Sequence, residues 1–457
     1  MKMRRKQKIL IFPILLLGVL MFSCTDTVIP GSNQLDSQLK EAIRASAELA
    51  SGQPNLDFYI LPDPSDLSSI PQDSAMNPLN SAKVELGKFL FYETGIAVDS
   101  KFDSGMNTYS CATCHVPEAG FRPGTFQGIA DGGIGFGIRG ENRRRNQDYE
   151  PDDMDVQDAR ALSLLNVAFV KNTFWNGQFG ANDANQGTES LWSEENGAIV
   201  NELGFAAIES QNIEGVHVHR MDINKQMSDE FGYTQLFDEA FPEYPSSERY
   251  SQTTLALALS AYIRTLMSNE APFQKWLKGD YSALSFEEKE GGLLFFGKAN
   301  CSTCHYNENL GSNEFHALGV KDMHDIDGFS TAVDDFRNFG RGGFTQVESD
   351  MYNFKVPQVY NMKDTPFYFH GSSVRSLEDL VDYFNDGVKE NDEVPVEAIS
   401  TKFKPLDLTV EEKAYLVKFL EYSLRDPNLK RYKPEVIGSG LCFPNADLQS
   451  QVDLGCF

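Results

Sequence analysis

Apolar residues recur at helical spacing in four segments of the chain, and the four fall into two matching pairs. Residues 81–91 (SAKVELGKFLF) and 285–296 (SFEEKEGGLLFF) each read as an amphipathic helix, and each is followed by a Cys-x-x-Cys-His segment, at 111–115 and 301–305. Each pair ends in an apolar closing helix, predicted over 253–267 (TTLALALSAYIRTLM) and 409–424. Ser285 with Glu288, and Thr409 with Glu412, fit the reciprocal capping box that starts a helix. Residues 272–280 form a short boundary between the copies. The long Gly-, Asp- and Asn-rich stretches at 120–160, 176–200 and 306–352 have weak periodicity and read as loops packed around something. Residues 25–80 are rich in Ser, Asp, Pro and Asn apart from a helix near 38–51, and read as a tether and N-terminal arm. The expected fold is mainly α: two domains of one plan over 81–270 and 271–435, an arm over 24–80 before them and a tail over 436–457 after them.

The start of the chain has a different pattern. Lys2, Arg4, Arg5, Lys6 and Lys8 precede an almost unbroken apolar run from Ile9 to Phe22. The run is too short and too close to the start for an ordinary membrane span, so residues 1–23 are expected to be an export signal. It ends at Met21-Phe22-Ser23-Cys24, a small residue followed by Cys, which is similar to a bacterial lipobox although Met21 stands where Leu is usual. Cys24 would then become a lipidated first residue that anchors the protein to a membrane in the periplasm; a plain cleaved signal is the alternative, and both imply export. The chain carries 66 acidic against 40 basic residues, a formal charge of −26. Losing the signal removes five of the basic residues and makes the charge more negative still. Such a surface repels nucleic acid and anionic membrane and favours cationic partners at low salt; solubility explains it equally well.

Seven cysteines divide among these features: Cys24, the two pairs Cys111/Cys114 and Cys301/Cys304, and Cys442 with Cys456. In an oxidising compartment the last two are expected to form a disulfide closing a C-terminal loop. The two Cys-x-x-Cys-His segments carry the chemistry. Two thiols at that spacing can form thioethers with the vinyl groups of a haem, and the adjacent His115 or His305 then presents its imidazole to the iron. A redox Cys-x-x-Cys wants a βαβ context, which is missing. A zinc site wants four closed Cys/His ligands, and the other five histidines show no such spacing. Two c-type haems are therefore expected, held by Cys111, Cys114 and His115 and by Cys301, Cys304 and His305.

Several separate segments resemble the bacterial di-haem cytochrome c peroxidases and their MauG-like relatives, over roughly residues 82–425. Ser110-Cys-Ala-Thr-Cys-His115 through Phe121 is similar to the family's first haem segment. Arg145-Asn146 and Ser163-Leu-Leu-Asn166 resemble its Arg-Asn…Leu-Asn element, split by an acidic insertion. Phe174-Trp175-Asn176-Gly177 resembles Trp-Asp-Gly-Arg. Phe354-Lys-Val-Pro357 through Asn361, and Tyr368-Phe369-His370-Gly371, resemble Phe-Lys-Val-Pro…Asn and Tyr-Phe-His-Asp-Gly. The resemblance implies two cytochrome c-like domains whose haem sites face a shared junction. It also implies reduction of hydrogen peroxide at the first haem, with electrons from a small donor protein collected at the second. Trp175 would lie between the haems, a calcium ion near Asn146 and Pro357 would be held through backbone carbonyls, and His370 would sit near a haem propionate. A homodimer is compatible with the resemblance.

The departures bear on chemistry. Typical peroxidases place a displaceable His about sixteen residues after the first proximal His; here that place, around Asp131, is Gly-rich, and no His occurs between 116 and 216. This is the MauG-like pattern and implies an open sixth position on the first iron. For the second iron Tyr383 falls near the ligand position. Peroxide cleavage needs a group that moves a proton between the two oxygens. Where the family has Glu-Met, this chain has Gly204-Phe205, so Glu202 and Glu209 are the replacements expected to act, with His217 and His219 as further distal candidates. The alternatives to a peroxidase are a MauG-like oxidase of a partner's Trp or Tyr and a non-catalytic electron carrier.

Overall fold

The structure, a computed structural model, describes residues 32–71 and 76–456; the export signal and Cys24 lie outside them. Among the described residues no helix is long and apolar enough to cross a membrane. Seven of its helices organise the fold: α1 (Ser32–Ser51), α2 (Ser81–Tyr92), α3 (Ala207–Val218), α4 (Gln252–Arg264), α5 (Phe286–Phe295), α6 (Leu377–Asp386) and α7 (Val410–Lys418). The predicted capping boxes form at Ser285/Glu288 and Thr409/Glu412, and α7 runs on through a π-helical turn at Phe419–Ser423. The long Gly- and Asn-rich stretches fold as turns, short 3₁₀ segments and two-residue antiparallel ladders, Gly133–Ile134 on Arg144–Arg145 and Phe315–His316 on Phe354–Lys355.

Two hydrophobic cores result. In the first, α4 lies between α2 and α3 and is buried from Thr254 to Arg264, as its all-round apolar sequence requires. In the second, α5 packs on α7 and α1. Both cores use a glycine where two helices cross. A Cβ on Gly87 of α2 would stand 2.0 Å from the Ala258 carbonyl oxygen of α4, and one on Gly291 of α5 would stand 2.1 Å from that of Tyr415 on α7. The obstacle is backbone in both cases, so only separation of the helices relieves it. Gly291→Ala should cost about 1–3 kcal/mol of stability, read as a lower urea midpoint with an unchanged slope.

The two ends of the chain are built into the opposite halves. The arm helix begins at Ser32, earlier than the sequence pattern suggested, because Leu35, Leu39, Ile43 and Ala47 form an apolar stripe at i, i+4 spacing. Leu39, Ile43 and Ala47 enter the second core, and Asp36 accepts a 2.7 Å hydrogen bond from Trp276 Nε1 and pairs with Lys289 at 2.8 Å. The boundary segment folds as the helix Pro272–Leu277, with Phe273 and Trp276 fully buried in the same core. The tail runs the other way. Cys442 and Cys456 are disulfide-bonded, Pro444 O accepts from Ser110 Oγ at 2.9 Å, and Asp447 pairs with buried Arg143 at 3.1 Å.

Candidate functional site

The two Cys-x-x-Cys-His segments fold as single tight turns, Cys111–Cys114 and Cys301–Thr303, each close after the first long helix of its half. Both open onto one cavity of about 1040 Å³ whose wall includes Cys111, Cys114, His115, Cys301, Cys304 and His305. The four cysteines are free thiols, and burial pushes Cys111, Cys114 and Cys301 up to about 12, so the sulfurs stay protonated. His115 Nδ1 donates to the Phe121 carbonyl at 3.2 Å and His305 Nδ1 to that of Leu310 at 3.0 Å. A carbonyl only accepts, so each ring carries its proton on Nδ1 and leaves Nε2 bare. Burial pushes both imidazoles down to about 4, which keeps them neutral.

The cavity walls also carry cations without acidic partners. Arg122 donates to the carbonyls of Tyr360 and Asn361, and Arg160 to those of Pro123, Thr125 and Phe126 and to the Thr365 hydroxyl. The Nε of Arg160 has no hydrogen-bond acceptor. Lys355 reaches only Asn313 Oδ1, at 3.3 Å, and burial pushes it down to about 7. Buried charges are ordinarily paired. A largely apolar space with paired thiols, bare imidazole nitrogens and unneutralised cations fits a flat apolar group that brings its own carboxylates, which describes haem.

Trp175 and His370 meet on the cavity wall. Trp175 Nε1 donates to the Arg160 carbonyl at 2.7 Å, and its ring meets His370 edge-on at 6.1 Å between centroids. His370 stacks on Phe354 at 3.6 Å and hydrogen-bonds Asp322 through Nε2 at 2.7 Å. The main chain of Trp175 also accepts from Lys355 N at 2.8 Å, so this aromatic pair joins the two halves.

Other residues expected from the sequence are placed elsewhere. Glu202 is exposed and off the cavity. Glu209 is fully buried against Arg264 (3.2 Å) and Asn77 (3.2 Å). The reason is helical phase: Gln211, Glu214, Gly215 and Val218 give α3 its cavity face, and Glu209 points towards α4. Tyr383 is likewise out of phase, because Leu380, Val381 and Phe384 line the cavity while its hydroxyl donates to the Leu318 carbonyl at 2.7 Å. Asn146 lies with Ser104 and Gly132 on an outer loop, whereas Pro357 lines the cavity. His217 is exposed, but His219, just after α3, lines the cavity, with Nδ1 on Asp155 at 2.6 Å. Burial pulls the His219 imidazole down, and Asp155 more than offsets it, so its pKa lies above the ordinary value. Asp155 and the unpaired cations are the functional candidates that sequence reading missed; Asp155 sits in an acidic stretch indistinguishable from a solvated loop.

A helical frame with two Cys-x-x-Cys-His turns on one cavity has the residues that two haems would need. Residues 81–282 match the family model of di-haem cytochrome c peroxidase. The methylamine utilization protein MauG of Methylorubrum extorquens is 29% identical over 79% of this chain and 82% of its own length. A cytochrome-c peroxidase of Denitromonas iodatirespirans is 25% identical over 82% of this chain and 90% of its own. The crystal structure of a MauG-like protein associated with microbial copper homeostasis shares the fold, with a TM-score of 0.55 and 24% identity over 81% of this chain and 95% of that one. Residues 81–282 thus resemble the di-haem cytochrome c peroxidase family, and the relatives that align with most of the chain carry the names MauG and cytochrome-c peroxidase.

Proposed function

We propose that this protein is exported and reduces hydrogen peroxide to water with electrons from a small donor protein. The observation that carries the reading is that both Cys-x-x-Cys-His turns open onto one cavity that Trp175 also lines. In this reading Cys111 with Cys114 and Cys301 with Cys304 form the thioethers, and the bare Nε2 atoms of His115 and His305 hold the irons. Arg122, Arg160 and Lys355 neutralise haem carboxylates. Trp175, fixed at Nε1 and packed on His370, gives a rigid aromatic bridge across the junction. Two haems held this way would supply one-electron chemistry, with His115 holding the one that meets peroxide.

A second reading, oxidation of a Trp or Tyr on a partner protein as in MauG, is favoured by the absence of any His between 116 and 216. Peroxide added to the holo-protein separates the two. With a reduced small cytochrome present, rapid donor oxidation is the expected result. A long-lived oxidised state without donor turnover would favour the second reading, and no reaction at either haem would sink both.

A further inference from the structure

Neither glutamate expected to act as the acid/base reaches the cavity, yet peroxide cleavage needs a group there that can carry a proton. His219 has the placement. It follows directly on α3, its side chain is 38% accessible, and it lines the cavity onto which both turns open. Tyr109, two positions before Cys111, hydrogen-bonds the His219 main chain, which puts His219 beside the first turn. The ring is held from behind. Nδ1 donates to Asp155 at 2.6 Å, and the His219 carbonyl accepts from Tyr109 at 2.9 Å. Nε2 has no hydrogen-bond partner among the described residues, on a residue that lines the cavity.

Asp155 is fixed in turn. Its side chain is 7% exposed and its main-chain N donates to the Asp131 carbonyl at 3.0 Å. Asp131 is fully buried, paired with Arg220 and hydrogen-bonded by Tyr149 at 2.6 Å. The loop around Asp131, where typical peroxidases carry a displaceable His, thus serves here to seat the carboxylate that orients His219. A carboxylate behind an imidazole fixes its tautomer and supports the charge it gains on taking a proton.

We propose that His219, oriented by Asp155, is the acid/base of peroxide cleavage at the Cys111–His115 site. This rests on the peroxide-reducing reading. Nε2 takes the proton of the oxygen nearer the iron and gives it to the outer oxygen as the O–O bond breaks. The outer oxygen keeps the bonding pair and leaves as water. The two electrons that the inner oxygen lacks come from the donor protein, and with two protons from solvent it leaves as the second water. His219 is the catalytic residue and Asp155 a positioning residue.

The test uses holo-protein with both haems loaded, verified by haem content, and compares wild type, His219→Gln and Asp155→Asn. Two rates are read on the ferric first haem: reaction with peroxide, and association of cyanide, which arrives as HCN and must also give up a proton. His219→Gln should slow both by about 100-fold or more, within the usual range for general acid–base catalysis, and leave the second haem's spectrum unchanged. Asp155→Asn should slow both by a smaller factor. Wild-type rates of both reactions in His219→Gln would overturn the proposal. So would a wild-type low-spin signal of two axial imidazoles that His219→Gln abolishes, because His219 would then be an iron ligand. If wild type is inert to peroxide but cyanide binding still depends on His219, the peroxidase reading fails and the placement of His219 as a distal base stands.

Discussion

Cys111→Ala with Cys114→Ala should leave a protein that carries one covalent haem in place of two and has lost peroxide turnover. The turn itself should survive, because it is held by groups other than the two sulfurs. Ser110 N donates to Thr113 Oγ1 at 2.9 Å, and both hydroxyls reach the Pro444 carbonyl. Haem content after denaturation in alkaline pyridine checks the stoichiometry, and the spectrum of the remaining haem checks that the other half is intact. The matching pair, Cys301→Ala with Cys304→Ala, should also leave one haem but stop donor oxidation by a different route: peroxide still reacts once, and the donor no longer restores the protein. Two covalent haems remaining in either double variant would show that the thiols are not the attachment points.

The second large effect is on stability. Asp36→Ala should cost about 3–5 kcal/mol, the range for removing one partner of a buried ion pair. Lys289 is 6% exposed and would lose its counter-charge, and Trp276 Nε1 would lose its acceptor. Urea denaturation followed at the second haem reads this directly. Asp36→Leu combined with Lys289→Met should recover most of the loss, because it removes both charges together. A small effect of Asp36→Ala would mean that α1 contributes little to the second core.

The repeated plan was legible because it rests on local patterns: helical spacing in α2, α4, α5 and α7, capping boxes at Ser285 and Thr409, and the Cys-x-x-Cys-His spacing itself. The arm was harder to read. Leu35, Leu39, Ile43 and Ala47 are separated by polar residues, and beyond the nearby Leu56–Tyr59 turn what they pack against lies more than two hundred residues later. The two glutamates expected to act as acid/base lie off the cavity, Glu209 for a reason of phase. Alignment by neighbourhood brought out Glu202 and Glu209, but a helix turns about 100° per residue, and Glu209 faces Arg264 while Gln211 and Glu214 face the cavity. Tyr383 failed by one position in the same way. The His219–Asp155 pair joins residues 64 positions apart through a loop without periodicity, so no local signal marks it.

The exchange of ends between the halves has a consequence for how the molecule is made. Synthesis runs from one end, so the Cys111–His115 turn emerges long before Pro444, its anchor 334 positions away from Ser110. Conversely, α1 emerges first and waits for α5 before its apolar stripe is covered. Contacts so distant in sequence close late. The first thiols therefore stay accessible to attachment until nearly the whole chain has arrived, and the last residues shut the door behind the cofactor. A chain cut short at its C-terminus should still acquire haem at that turn but hold it in a half that never closes.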